Sequence, residues 1–357
     1  MIVMEPAGMQ TYRSLQAGRG LAAVMVVLFH TTSFLGGDPR YWRRQWLSDR
    51  FAGLALGVEF FFVLSGAVIL LAHRGDIGRP ATIPSYLWKR IRRVYPVYWL
   101  ILTALVLEYT LRPGLGAAWQ SDPRVIASGY LLVYCTTSFH LTLPVAWTLC
   151  HEVLFYAAFG ALLAGRRVGT LILTAWFGLS LLMLVHPWSV YFGAYLFSPL
   201  HLLFGSGMLA GWLLRRRDAP APGLLTAVGI CIFASAVVLA GRRGDIDYST
   251  ELLAGAGVTL LVLGAARLEE QGRLAVSRPL QLLGDASYSI YLIHYPFFMF
   301  SAPFVYRLWL RHPVPLAAPF VVMAVGAVAV GCGFHELVER PLLKALLRPK
   351  RPVLAAA

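Results

Sequence analysis

The sequence predicts an all-α, polytopic membrane bundle of about ten transmembrane helices, with both termini on the cytoplasmic side. Three observations carry that expectation. Of 357 residues, 58% are hydrophobic and only 13% are charged, far from the balance of a soluble domain. Apolar runs of about 17–25 residues, the length that spans a bilayer, recur from Leu15 almost to the C-terminus. Between them, Lys and Arg collect in short connecting segments, as topology signals do.

The runs place spans at roughly 14–35, 52–72, 90–111, 145–164, 168–186, 197–214, 222–240, 249–266, 283–306 and 315–337. No polar stretch is long enough for a separate soluble domain, so residues 1–357 read as a single integral membrane domain ending in a basic cytoplasmic tail, 338–357. With both ends inside, about twenty of the 31 Lys and Arg fall on inner segments and about ten outside. The outer loop 36–50, with Arg40, Arg43, Arg44 and Arg50, runs against this bias. The net charge of +14 would suggest nucleic acid in a soluble protein; here it sets topology first, and attracts anionic lipid or substrate second. The first run is too long for a signal peptide and has no cleavage site, so it is expected to be retained. Segment 125–140 is apolar but short and follows a proline, which suits a re-entrant or interfacial piece. Cys135, Cys150, Cys231 and Cys332 have no metal-type spacing and read as small buried hydrophobes.

Span one carries Arg19 and His30, eleven residues apart. That is about three turns, so the two share a face some ~16 Å apart, one near each membrane surface. Ionisable groups inside a span are costly and point to function. The first outer loop adds Tyr41, Trp42 and Trp46, suited either to sugar stacking or to an interfacial belt. Span two opens with Glu59, at a depth expected to match His30, where a carboxylate either orients the imidazole or faces water. The inner cluster Lys89-Arg90-Ile91-Arg92-Arg93 follows. Arg90 and Arg93 share a helix face, a spacing that suits bidentate phosphate binding and also a plain membrane anchor.

Span four begins Trp147-Thr148-Leu149-Cys150-His151-Glu152, which is expected to put Glu152 in the outer third near His30, with Tyr156 on the same face. The middle spans carry little chemistry: His201, Ser206, Gly205, Gly207 and Gly211 read as helix packing, and Arg215–Arg217 as an anchor. In span nine, Asp285 and Ser287 are candidate N-caps, and Ser287, Tyr291 and His294 form one polar stripe beside Pro296. That stripe serves either a site or helix–helix glue. Glu339 is expected to pair with an inner arginine.

Taken in order, Arg19-x10-His30, Gly57-Val58-Glu59 with FFFVLSG, Arg90-x-x-Arg93 before Tyr95-Pro96, Trp147-Thr148-Leu149 with Glu152, Ser287-Tyr288-Ser289-Ile290-Tyr291-Leu292 with His294, and Glu339-Arg340-Pro341 resemble the integral membrane acyltransferase-3 family. Gln16 and the short length are similar to its exopolysaccharide (succinoglycan-type) O-acetyltransferase branch; Cys150 stands where a serine is usual, and no SGNH-type hydrolase domain is expected. The resemblance implies O-acylation of an extracytoplasmic or lipid-linked saccharide in the bacterial inner membrane. Acetyl-CoA or another acyl-CoA would be the donor substrate, with no resident cofactor and no metal. It implies His30 as catalytic base and Arg19, Arg90 and Arg93 as donor-handling residues. On the residues themselves, Glu59 or Glu152 is the expected acidic partner of His30, and Tyr288, Tyr291 and His294 are expected to shape the acyl path or donate to the thioester oxygen. Polysaccharide-assembly proteins are the expected protein partners. The rival class is a transporter or flippase for a lipid-linked saccharide or organic anion, which buried His, Glu and Arg also suit.

Overall fold

The computed structural model describes residues 12–38, 40–42, 45–112, 117–135, 140–187, 191–216 and 221–347. Among these there is no strand, and a helix stands at each of the ten expected span positions. In chain order the helices are α1 Arg13–Thr32, α2 Gln45–Arg50, α3 Gly57–His73, α4 Ile83–Leu111, α5 Pro123–Leu131, α6 Trp147–Ala164, α7 Arg166–Leu182 and α8 Tyr191–Leu196. They continue with α9 His201–Arg216, α10 Pro222–Arg243, α11 Tyr248–Glu270, α12 Arg278–Asp285, α13 Ser287–Arg311, α14 Ala317–Phe334 and α15 Arg340–Leu347. Eight helical stretches are long and apolar enough to cross a membrane. The two expected spans outside that set are α7, which has 17 residues, and α13, which has 25 but carries His294, Arg307 and Arg311.

Solvent-type amphipathicity is missing where lipid would lie. Val321, Val322, Val325 and Val330 of α14 are exposed, as are Leu224, Val228, Ile230 and Val238 of α10. Faces this apolar are stable against hydrocarbon and unfavourable against water. The protein is therefore a multi-pass membrane bundle. Within it, backbones approach closely where side chains are absent. A Cβ on Gly66 would lie 2.0 Å from the Phe204 carbonyl oxygen, and one on Gly207 would lie 1.9 Å from that of Val63, so α3 and α9 touch backbone to backbone. Gly20 and Gly284 do the same for α1 and α12.

The N-terminus of α1, which carries Arg19 and His30, is anchored by charge. The amides of Arg13 and Ser14 donate to the Glu269 carboxylate at 2.8 Å each, satisfying two of the unpaired donors of a helix start. Such an anion at a helix N-terminus contributes about 0.3–1 kcal/mol.

Several local expectations change. Asp285 closes α12, and Ala286, not Asp285 or Ser287, is the N-cap of α13. The α13 helix runs on through Pro296 and Pro303. Among the described residues Glu339 pairs with no arginine: its Oε2 accepts from Ser289 at 2.5 Å and lies 2.8 Å from His335 Nδ1, clasping a π-turn at His335–Glu339 to α13. Of the cysteines only Cys150 is buried. Segment 125–140 opens inside the nine-residue α5, tied to α4 by Tyr98 Oη donating to the Gly129 carbonyl at 2.8 Å and Trp99 Nε1 to that of Tyr130 at 3.0 Å. Arg43, Arg44, Arg217, residues 136–139 and the tail 348–357 lie outside the described residues, as does the side chain of Trp46.

Candidate active site

Four helices bring the arginines together. Arg19 comes from the first half of α1, and Arg90 and Arg93 from one face of α4. Together with Glu152 of α6 and Tyr288 of α13 they border a cavity of about 130 Å³. At the ~30 Å³ each water occupies in the liquid, that is room for about four waters. The opposite wall is apolar, built by Val58, Phe61, Phe62 and Val68 of α3. On α6 the cavity runs from Glu152 and Tyr156 to Thr148; from Tyr156 to Thr148 is eight residues, or about 12 Å of helix.

Glu152 belongs to the arginine end. Its Oε1 accepts from the Tyr156 hydroxyl and, at 3.1 Å, from Ser65. The charges acting on Arg19 are Arg93, Glu152 and Glu339. Three guanidiniums meeting one cavity carboxylate leave a cationic surplus inside the bundle, which favours an anionic ligand. Arg90 lies near the rings of Tyr86 and Tyr156, at 5.9 and 5.8 Å from their centroids. Arg19 Nη1 is 3.4 Å from Gln16 Oε1.

The far end of the cavity is closed by Thr148 and Tyr291, whose hydroxyls are 3.0 Å apart. Tyr291 donates to the Val145 carbonyl at 2.8 Å, and Tyr288 to that of Val94 at 2.8 Å. Both hydroxyl protons are therefore committed to backbone, and the two tyrosines act as walls. Next to Tyr291 lies His294, ring centroids 5.8 Å apart, and next to His294 lies His30, at 4.9 Å.

Neither Glu59 nor Glu152 touches His30, which corrects the expected acidic partner. Glycine contacts show why for Glu59: Gly57 lies over Ala22, and Gly18 over Phe60. Glu59 is thus level with residues 18–22 of α1, at least eight residues, or about 12 Å, short of His30. It does not line the cavity, and the charge acting on it is Glu251 of α11. Glu152 sits in the arginine cavity, away from His30.

The partner of His30 is His294. His30 Nδ1 is 3.0 Å from the Val26 carbonyl, and His294 Nδ1 is 3.1 Å from that of Ile290. A carbonyl only accepts, so in the neutral rings both Nδ1 atoms carry the proton. His294 Nε2 is then a bare acceptor, 3.3 Å from His30 Nδ1, and shares that proton with Val26. What remains is the Nε2 lone pair of His30, with no hydrogen bond among the described residues, on a ring that is partly exposed. This is the arrangement a general base needs: one nitrogen anchored, the other free.

Sequence reasoning missed Thr148, Ser65 and His73, the last of which touches Arg90 at 3.1 Å. Thr148 and Ser65 fall inside the motifs Trp147-Thr148-Leu149 and FFFVLSG, but as single hydroxyls in apolar runs they carry no signal of their own. Among the described residues no three His, Cys, Asp or Glu side chains converge to hold a metal ion.

A helical membrane bundle with a cationic cavity and a histidine held for proton transfer suits a membrane-bound transferase. The family that matches is described as an acyltransferase domain, the acyltransferase-3 family, over residues 12–336, and this chain belongs to it. It is an enzyme that transfers acyl groups other than amino-acyl groups. Among its relatives, the chain is 33% identical to the exopolysaccharide production protein ExoZ of Rhizobium meliloti (strain 1021), over 81% of this chain and 90% of that one. It is 29% identical to a putative membrane-bound transacylase, BcsY, of Komagataeibacter xylinus, over 80% and 72%. It is 24% identical to the O-acetyltransferase OatA of Staphylococcus aureus (strain NCTC 8325 / PS 47), over 91% of this chain and 56% of OatA. No solved structure matches.

Proposed function

We propose that this enzyme is an O-acetyltransferase of the bacterial cytoplasmic membrane, with N- and C-termini inside. It would move acetyl from cytoplasmic acetyl-CoA to a hydroxyl of an extracytoplasmic or lipid-linked polysaccharide, exopolysaccharide foremost. The observation that carries this reading is the cavity that starts among Arg19, Arg90 and Arg93 and ends at Thr148 and Tyr291, one ring short of the His294–His30 pair. The names of ExoZ and OatA support the polysaccharide and the acetyl group.

In this mechanism the donor's phosphates dock on the arginines, as planar guanidiniums bind phosphate oxygens in pairs. The thin pantetheine arm lies along the apolar wall of α3, which excludes water from the thioester. The acceptor hydroxyl comes from the opposite side and meets His30 Nε2. Its oxygen attacks the thioester carbon while Nε2 takes its proton; the C–S bond breaks and the thiolate leaves, recovering a proton from the imidazolium. General-base help of this kind contributes ~10²–10⁴ in rate. His294, with both nitrogens occupied, serves His30 and not the thioester.

The test is the O-acetyl content of surface polysaccharide, read by NMR, in cells lacking the gene and in cells with it restored. Loss on deletion and return on restoration is the expected result. Polymer with unchanged O-acetyl, or polymer retained inside the deletion strain, contradicts the proposal.

A further inference from the structure

His73 and Asp76 stand outside the machinery described so far, at the end of α3 away from Glu59. His73 is buried, its side chain edge-on to the Tyr86 ring at 4.9 Å. Both of its nitrogens are occupied. Nδ1 is 2.9 Å from Asp76 Oδ2, and Nε2 is 3.1 Å from Arg90 Nη2. A guanidinium only donates, so Nε2 must hold a lone pair and Nδ1 must carry the proton toward Asp76. The chain Asp76–His73–Arg90 therefore has one defined proton arrangement, and it leads into the cavity.

Arg90 is fixed by this contact at one corner and by Tyr86 and Tyr156 on its faces. Its Nε is buried with no partner among the described residues. A buried guanidinium N–H left unpaired is costly, and an anion in the cavity would satisfy it. The cost of holding that donor ready falls on the His73 contact. Without it, Arg90 is free to turn toward bulk water or toward Glu152.

We propose that His73 and Asp76 are positioning residues which hold Arg90 in the orientation that receives the phosphate end of the acyl-CoA donor. The inference rests on the donor site proposed above. It has a chemical consequence. An imidazolium has N–H on both nitrogens, so protonated His73 cannot accept from Arg90. The charges that face it are Asp76 from its own segment and Arg90 and Lys89 from α4, with Tyr86 the neutral neighbour. Donor affinity should therefore weaken on the acid side of neutrality through this contact.

The experiment is the steady-state kinetics of purified full-length enzyme with acetyl-CoA and isolated polysaccharide, for wild type, Arg90→Ala, His73→Leu, His73→Gln and Asp76→Ala. His73→Leu should raise KM for acetyl-CoA about tenfold, the worth of one hydrogen bond to a charged group, with kcat within about twofold. His73→Gln keeps an acceptor for Arg90 and a donor for Asp76. It should bring KM back near wild type and remove the acid-side rise in KM. Should His73→Leu fail to reach the membrane, Asp76→Ala, on a partly exposed side chain, carries the test and should raise KM about threefold. If Arg90→Ala raises donor KM while the His73 and Asp76 variants match wild type, the positioning role is wrong and the donor site stands. If Arg90→Ala also leaves KM unchanged, the donor site itself is wrong and the inference falls with it.

Discussion

Two histidine pairs lie inside this bundle, and their surroundings separate them. His30 and His294 join α1 to α13; His151 and His201 join α6 to α9, with His151 Nδ1 2.9 Å from His201 Nε2. In the first pair two backbone carbonyls set both protons and leave one lone pair free on a partly exposed ring. In the second no carbonyl or carboxylate is bound. Trp147, Trp176, Tyr195 and Phe62 crowd the rings, and His201 Nδ1 is buried without a partner. A histidine pair is thus not a reactive unit by itself. What matters is an anchored tautomer together with a nitrogen that open space can reach. The first pair has the anchored tautomer, and the second does not.

The widest separation should come from His294→Phe, which removes the Nε2 acceptor beside His30 while keeping a ring. Transfer per folded enzyme should fall about tenfold, one hydrogen bond's worth, with donor KM little changed. A wild-type rate in this variant would break the distinction between the pairs.

His201→Phe should act on stability instead. It orphans His151 Nδ1 in an aromatic cage, at a cost of about 1–3 kcal/mol, while the transfer rate per folded enzyme stays within about twofold. A large loss of rate at normal stability would mean that the second pair also belongs to the site. The double variant His151→Phe, His201→Phe, with no polar nitrogen left behind, should regain part of the loss.

The smallest effect belongs to Asp247, remote from both pairs and outside the spans. It caps α11: Thr250 N–H donates to its carboxylate at 2.9 Å and the Ser249 hydroxyl at 2.7 Å. These bonds, the Thr250 amide first, pull its pKa from the ordinary 3.8 down to about 2. A folded-state pKa below the unfolded one gives stability that is present above about pH 4 and lost as pH falls toward 2. Asp247→Ala should cost about 1 kcal/mol and flatten that acid limb, with transfer unchanged. Thermal unfolding in detergent across this pH range checks it.

Helix positions were legible because a 17–25-residue apolar run has few alternatives in any fold. The arginine cluster was legible for a related reason: Arg90 and Arg93 sit at i and i+3, and that spacing fixes a shared face whatever the tertiary structure. Depth was not. Counting inward from an assumed common surface put Glu59 and Glu152 beside His30, but neighbouring helices enter at different heights, and both carboxylates fall short of it. The partner of His30 was hidden for another reason. His294 is 264 residues away, and its polar stripe suits a site and helix–helix glue equally. Helix α12 was hidden because most of it falls between two expected spans, 249–266 and 283–306, whereas Arg278–Asp285 is helical and packs Gly284 against the Gln16 backbone of α1.

The central claim is that His30 Nε2 takes the acceptor's proton in an acetyl transfer that uses acetyl-CoA. The most direct measurement is polysaccharide-dependent release of CoA thiol by purified enzyme in lipid nanodiscs, comparing wild type with His30→Ala at equal folded amounts. The account predicts release with wild type and a fall of ~10²–10⁴ in His30→Ala, with acetyl-CoA still binding at near wild-type affinity. Equal rates in the two proteins would contradict it.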